Sequence, residues 1–118
     1  MAAKDELGRR GEELAAQYLE HAGYTVIDRN WRCARGELDL VARDGDDTVF
    51  VEVKTRSSTA FGHPFEAITS RKLARLRRLA LAWRDAHPYR RGSLRLDAIA
   101  VIAPVGQAPT VEHLRGIG

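Results

Sequence analysis

Gly36-Glu-Leu-Asp-Leu-Val-Ala42 and Thr48-Val-Phe-Val-Glu-Val-Lys-Thr55, separated by Arg43-Asp-Gly-Asp-Asp47, decide how this chain folds. The two outer runs are strand-like and the middle is turn-rich, so together they predict an antiparallel hairpin. Strand side chains alternate between faces, which puts Glu52 and Lys54 on one side and Val53 on the other. Directly opposed residues of two antiparallel strands share a face. A register centred on Gly45-Asp46 sets Asp39 opposite Glu52, Glu37 opposite Lys54 and Val41 opposite Phe50. The other face then carries Leu38, Leu40 and Ala42 against Val49, Val51 and Val53. A slip by one residue would set carboxylates against valines, so burial of the apolar face should enforce the register. An Asp44-Gly45 turn moves the pairing by two and keeps the same faces, which leaves the turn type open.

Working outward, Asp5 to Ala22 reads as a helix with Gly11, Leu14, Ala15, Tyr18, Leu19 and Ala22 on one stripe, ended by Gly23. Tyr24 to Arg32 reads as a first strand. Arg56 to Pro64 is a polar loop. Thr69 or Ser70 caps a second helix that runs to about Ala86 and stops before Pro88. Its inner stripe is Leu73, Leu76, Ala80 and Trp83. Leu94 to Ile102 is a fourth strand and Thr110 to Leu114 a short fifth. The order αβββαβ(β) predicts an α/β fold, a mixed β-sheet flanked by helices. Residues 1–118 form a single domain on this reading, with a core of about 5–103 and a C-terminal tail at 104–118.

Composition narrows the function. The apolar fraction is 44% and the charged fraction 30%, as in folded soluble proteins. A net charge of +3 from 19 Lys+Arg and 16 Asp+Glu permits a polyanionic partner, or equally an ordinary basic surface. The single Cys33 excludes an intrachain disulfide and suits a reducing compartment. His21, His63, His87 and His113 are scattered and give no zinc spacing. With no membrane-length apolar run and no secretory core at the start, a cytoplasmic protein without membrane association is expected.

The hairpin carries the chemistry. Glu-x-Lys in a strand is common on solvated sheet faces. Asp39 facing Glu52 is less ordinary, because like charges on neighbouring strands destabilise unless a cation compensates. Lys54 or a metal must play that part. Two carboxylates suit Mg2+ (or Mn2+), a hard ion that prefers oxygen ligands and keeps several waters. Such an ion polarises a phosphate and acidifies a bound water, and Lys54 would orient that water or steady the developing charge. Glu37 has two readings: it binds metal through water, or it neutralises Lys54. Asp97, outside the motif, reads as structural, and Trp31 and Trp83 as core.

Gly8-Arg-Arg-Gly-Glu12, Tyr18-Leu19, Gly23-Tyr24, Arg29-Asn30-Trp31-Arg32, Gly36–Leu40, Phe50–Arg56 and Phe61-Gly62 through Glu66-Ala67-Ile68 make the chain look like the YraN family of small bacterial nuclease-like proteins. That family resembles the archaeal Holliday-junction resolvases and the restriction-endonuclease-like superfamily, whose core has the same α-βββ-α-β order. The resemblance implies that Asp39, Glu52 and Lys54 are the catalytic residues. It adds Glu12, from the first helix, as a further metal ligand and catalytic residue, and the backbone carbonyl of Val53 as another ligand. It also implies DNA as the substrate, structured or branched by analogy with the resolvases. A homodimer would supply the two active centres that cutting both strands of a junction needs.

Phosphate contacts are expected from three places. Arg71, Arg75 and Arg78 recur at helical spacing on the second helix with Lys72 beside them, a stripe that can follow a backbone without reading bases. Arg56 and the loop around Gly62-His63 continue directly from Lys54. Arg32 and Arg35 precede the Asp39 strand. The favoured function is metal-dependent DNA hydrolysis. The alternative is a non-catalytic nucleic-acid-binding module that acts with a protein partner.

Overall fold

A computed structural model describes residues 3–90 and 92–118. Helix α1 (Ala3–His21) leads into strands β1 (Thr25–Cys33), β2 (Gly36–Asp44) and β3 (Asp47–Arg56). A short 3-10 turn (Pro64–Ala67) precedes helix α2 (Ser70–Ala86), and β4 (Leu94–Ile102) and β5 (Thr110–Leu114) close the chain. The sheet order is β1-β2-β3-β4-β5. All neighbours are antiparallel except β3 and β4, which α2 connects in parallel. This is the mixed α/β sheet expected. Among the described residues no helix is long and apolar enough to cross a membrane.

Local chemistry sets the element ends. Gly23 adopts φ +93, a conformation that favours glycine, as α1 stops. Thr69 is the cap of α2, its hydroxyl accepting from the Lys72 N–H at 3.2 Å. The helices cover opposite faces of the sheet. Ala15, Ala16 and Leu19 of α1 pack with Leu40, Ala42, Val49, Val51, Val53, Ile99 and Val101. Leu76, Leu79, Ala80 and Trp83 of α2 pack with Leu38, Val41, Phe50 and Leu96. Ala22, expected on the inner stripe, is exposed, because α1 has already ended at His21; Ala16 is buried instead.

Gly11 fixes how α1 sits. It is buried, and a Cβ there would collide with the Thr55 side chain. Glycine therefore lets the helix backbone approach the end of β3, and this brings the next residue, Glu12, to that end of the sheet.

The hairpin register is as expected where it is paired: Val41 faces Phe50, and Asp44 faces Asp47 across a turn in which Gly45 takes φ +60. The ladder, however, ends at Leu40–Val51. Asp39 and Glu52 occupy the first unpaired positions, and Glu37 does not face Lys54. Leu38 also changes sides. It lies in the α2 core while Leu40, two residues on, lies in the α1 core. The expected single apolar face is thus two apolar faces. The physical reason is at Asp39, whose carboxylate takes the Val53 N–H at 2.8 Å in place of the next backbone rung.

Residues 104–118 do more than trail away. β5 pairs with β4, and the Ile117 N–H donates to the Leu96 carbonyl at 2.8 Å. Asp97, fully buried, holds this edge together by accepting hydrogen bonds from Arg95, His113 and the Gly116 N–H.

Candidate metal centre

The split between β2 and β3 is where the acidic residues gather. Carboxylate oxygens of Glu12, Glu37 and Asp39 all lie within 4.8 Å of one another. Glu12 comes from α1, the others from β2. Glu52 stands outside this trio but beside it, and its Oε2 accepts from Lys54 Nζ at 3.0 Å. The Lys54 and Glu52 side chains are 21% and 15% exposed, so this pair is partly shielded from water.

Glu37 is therefore a full member of the cluster and is not the partner of Lys54, which Glu52 takes instead. Its own cation is Arg32, whose Nε lies 2.6 Å from its Oε2. Val53 turns its N–H toward Asp39. The N–H and C=O of one strand residue face the same neighbour, so the Val53 carbonyl is on the same opened edge.

The Asp39 carboxyl is pushed up to about 7. Burial is the main cause, the Glu52 carboxylate the next, and Glu12 adds to both; the Val53 N–H and Lys54 act the other way. Four carboxylates thus converge, with Lys54 paired to Glu52 and Arg32 to Glu37. All four offer hard oxygen donors, so the donor set fits Mg2+ or Mn2+ and not a soft metal. Glu12, Glu37 and Asp39 could share such an ion.

Asn30 is the site residue that sequence reasoning missed. It stood in the quoted Arg29–Arg32 stretch, but with no role assigned. Its Nδ2 donates to Glu12 Oε1 at 2.8 Å and to Glu37 Oε1 at 3.3 Å. Its backbone is left-handed, φ +49, in a strand where only Asn, Asp and Gly tolerate that conformation cheaply. A single amide therefore braces two carboxylates from different elements. Groups that orient metal ligands typically contribute about 10- to 100-fold in affinity. Asn30→Gly keeps the left-handed backbone and removes the amide. We expect it to remain folded and to bind Mn2+ about tenfold more weakly by calorimetric titration. Unchanged affinity would reduce the bridge to a structural contact.

The basic residues divide. Arg56 is exposed and lines a groove with Glu12, Lys54 and Ser57. Arg32 is 81% exposed but tied to Glu37. Arg35 and Arg78 border one shallow depression, which joins two segments that were read separately. Arg71, Lys72 and Arg75 are exposed along α2, outside the carboxylate cluster.

The model of a family described as Uncharacterised protein family UPF0102 matches residues 11–101. A UPF0102 protein of Arthrobacter sp. (strain FB24) is 59% identical over 118 residues, covering 100% of both chains. A UPF0102 protein of Beutenbergia cavernae is 58% identical over 118 residues, again covering 100% of both. One from Renibacterium salmoninarum is 53% identical over the same length and coverage.

Proposed function

The chain belongs to the UPF0102 family, and from that premise and the carboxylate cluster we propose that it is a Mg2+-dependent endonuclease acting on DNA. The observation that carries the reading is the convergence of Glu12, Glu37 and Asp39 at a strand split, beside the Glu52–Lys54 pair. Burial and the neighbouring carboxylates push the Asp39 carboxyl up to about 7, a kind of perturbation that concentrates at functional sites. The bound ion would polarise the scissile phosphate and lower the pKa of a coordinated water. Glu12, Glu37 and Asp39 would hold the ion. Asn30 and the Val53 N–H keep their oxygens in place. Lys54 is steadied by Glu52 and supplies a positive charge where negative charge grows on the phosphate. Arg56, at the end of the same strand, would bind a neighbouring phosphate.

The direct test incubates the protein with Mg2+ or Mn2+ and labelled four-way junction, flap, single-stranded and duplex DNA. Metal-dependent cleavage of any of these supports the reading, and the ranking gives the preferred structure. Binding without cleavage in every case would favour the non-catalytic module. Neither binding nor cleavage would sink both.

Metal binding should also depend on pH in a defined direction. With Asp39 near 7, an ion entering below that pH must displace a proton. We expect Mg2+ affinity to fall about tenfold per pH unit below 7 and to level off above it. For the fold without metal, the Asp39 contribution should run the opposite way. The unfolded Asp39 titrates near 3.8, so between there and 7 only the folded state holds the proton, and stability declines as pH rises. Calorimetric titration from pH 5.5 to 8.5 measures the first effect, and a flat profile would remove Asp39 from the ligand set.

A further inference from the structure

The loop after β3, which starts at the groove-lining Arg56, presents an aromatic ring to solvent. Phe61 is 104% exposed, a fully open side chain. A single exposed apolar residue is unremarkable on most surfaces. This one is held in place by a braced loop. The Gly62 N–H donates to the Thr59 carbonyl at 3.0 Å, which makes Phe61 the third residue of a tight turn. Gly62 takes φ +100 to leave that turn. The Ala60 N–H donates to the Ser58 hydroxyl at 3.3 Å. Beyond the turn, the His63 N–H donates to Glu66 at 2.6 Å, and His63 Nδ1 accepts from the Phe65 N–H at 3.1 Å. His63 Nε2 must then carry the proton, and it donates to Glu112 of β5 at 3.0 Å. The base of the loop is pinned to the sheet on both sides, and the ring stays out.

Its position gives the ring a use. The Ala103 N–H donates to the Arg56 carbonyl at 2.8 Å, tying the loop's start to the end of β4. A groove lined by Leu7, Gly8, Glu12, Lys54, Arg56 and Ser57 runs from the carboxylates to that start. Phe61 stands on the loop that begins at this end of the groove, five residues after Arg56. A nucleobase needs one flat apolar face and a nearby cation for its phosphate, which Phe61 and Arg56 offer.

We propose that Phe61 is a stacking platform for an unpaired base, so that the substrate of this site is DNA with exposed bases next to the phosphate to be cut. The inference rests on the nuclease reading for the placement of the strand, but its test measures binding only. Bases in an intact duplex already stack on their neighbours and give Phe61 nothing to gain. A gap, fork or single strand leaves a face open.

The experiment uses the full chain with Ca2+ in place of Mg2+. It compares fluorescence anisotropy on a gapped duplex carrying 2-aminopurine in the gap with that on the fully paired duplex. Base–aromatic stacking corresponds to roughly tenfold in affinity or more. Phe61→Ala should therefore weaken gapped-DNA binding about tenfold and leave duplex binding within about twofold. Phe61→Trp should restore the affinity and quench the 2-aminopurine. Equal affinities for wild type and Phe61→Ala on gapped DNA, or equal losses on both DNAs, would overturn the platform. Neither result touches the nuclease reading, which stands or falls on metal-dependent cleavage. Absence of gapped-DNA binding by the wild type would overturn the platform and leave the nuclease reading to the cleavage assay.

Discussion

Asp39→Asn should lose metal-dependent cleavage by on the order of a thousandfold and, above pH 7, should melt at a higher temperature than the wild type without metal. The two signs come from one observation. Burial and the Glu52 carboxylate hold the Asp39 carboxyl near 7, so at pH 8 the folded protein carries an ionised group its surroundings oppose. Asparagine removes that charge. Its amide oxygen can still accept the Val53 N–H that Asp39 takes at 2.8 Å, so the split between β2 and β3 survives. What is lost is a ligand oxygen with full negative charge. Lys54→Ala should lose cleavage to a similar degree for a different reason, because it leaves the phosphate charge unopposed and Glu52 without its 3.0 Å partner. Melting curves at pH 8 alongside cleavage assays separate these effects from unfolding. Normal cleavage by either variant would reject the assigned site, and a lower melting point for Asp39→Asn would reject the electrostatic account of it.

The fold was legible wherever a pattern repeats along the chain. β4 and β5 have the bounds that alternation and turn residues suggested, and Thr69 caps α2 as its hydroxyl allows. The pattern failed where a side chain takes over a backbone role. Alternation assumes an unbroken strand, so it put Leu38 with Leu40 and Glu37 opposite Lys54. Once the Asp39 carboxylate replaces a rung, the pleat shifts by one and Leu38 turns to α2. Asn30 was illegible for a related reason. Its left-handed backbone sits inside a strand-like run, and its partners are 18 and 7 residues away. The acidic trio depends on how closely α1 approaches β3, and that distance is set by Gly11 against Thr55, a contact that no spacing rule contains.

The same limit hid the residue with the largest expected effect on stability. Asp97 was read as structural from its place on a strand, but not as the centre of a buried network. Its Oδ1 accepts from Arg95 Nε and the Gly116 N–H, both at 3.0 Å. Its Oδ2 accepts from Arg95 Nη2 at 3.0 Å and from His113 Nε2 at 2.7 Å. Arg95 reaches on to Asp44 at 2.9 Å and to the Tyr24 hydroxyl at 2.6 Å, so one cluster links β1's entry, the β2–β3 turn, β4 and β5. Removing one member of a buried ionic network typically costs about 3–5 kcal/mol, because its partners are left desolvated and unpaired. A domain of this size has a total stability of roughly 5–15 kcal/mol. Asp97→Ala should therefore lower the melting temperature by about 10 °C or more at pH 7. The pH dependence gives a second, independent readout. Burial works to raise the Asp97 carboxyl, but the hydrogen bonds from His113, Arg95 and Gly116 outweigh it and hold the group below its ordinary 3.8. A carboxyl depressed on folding stabilises above its unfolded pKa, and that stability is lost as pH falls through the folded value. The gap in stability between wild type and Asp97→Ala should thus stay constant from pH 7 to 5, where the contribution is whole, and shrink by pH 3, below the ordinary 3.8. Thermal unfolding of both proteins at pH 7, 5 and 3 measures this. Parallel pH profiles, or a melting point for Asp97→Ala within a few degrees of wild type, would mean that the network is held by its other members and that Asp97 is not its centre.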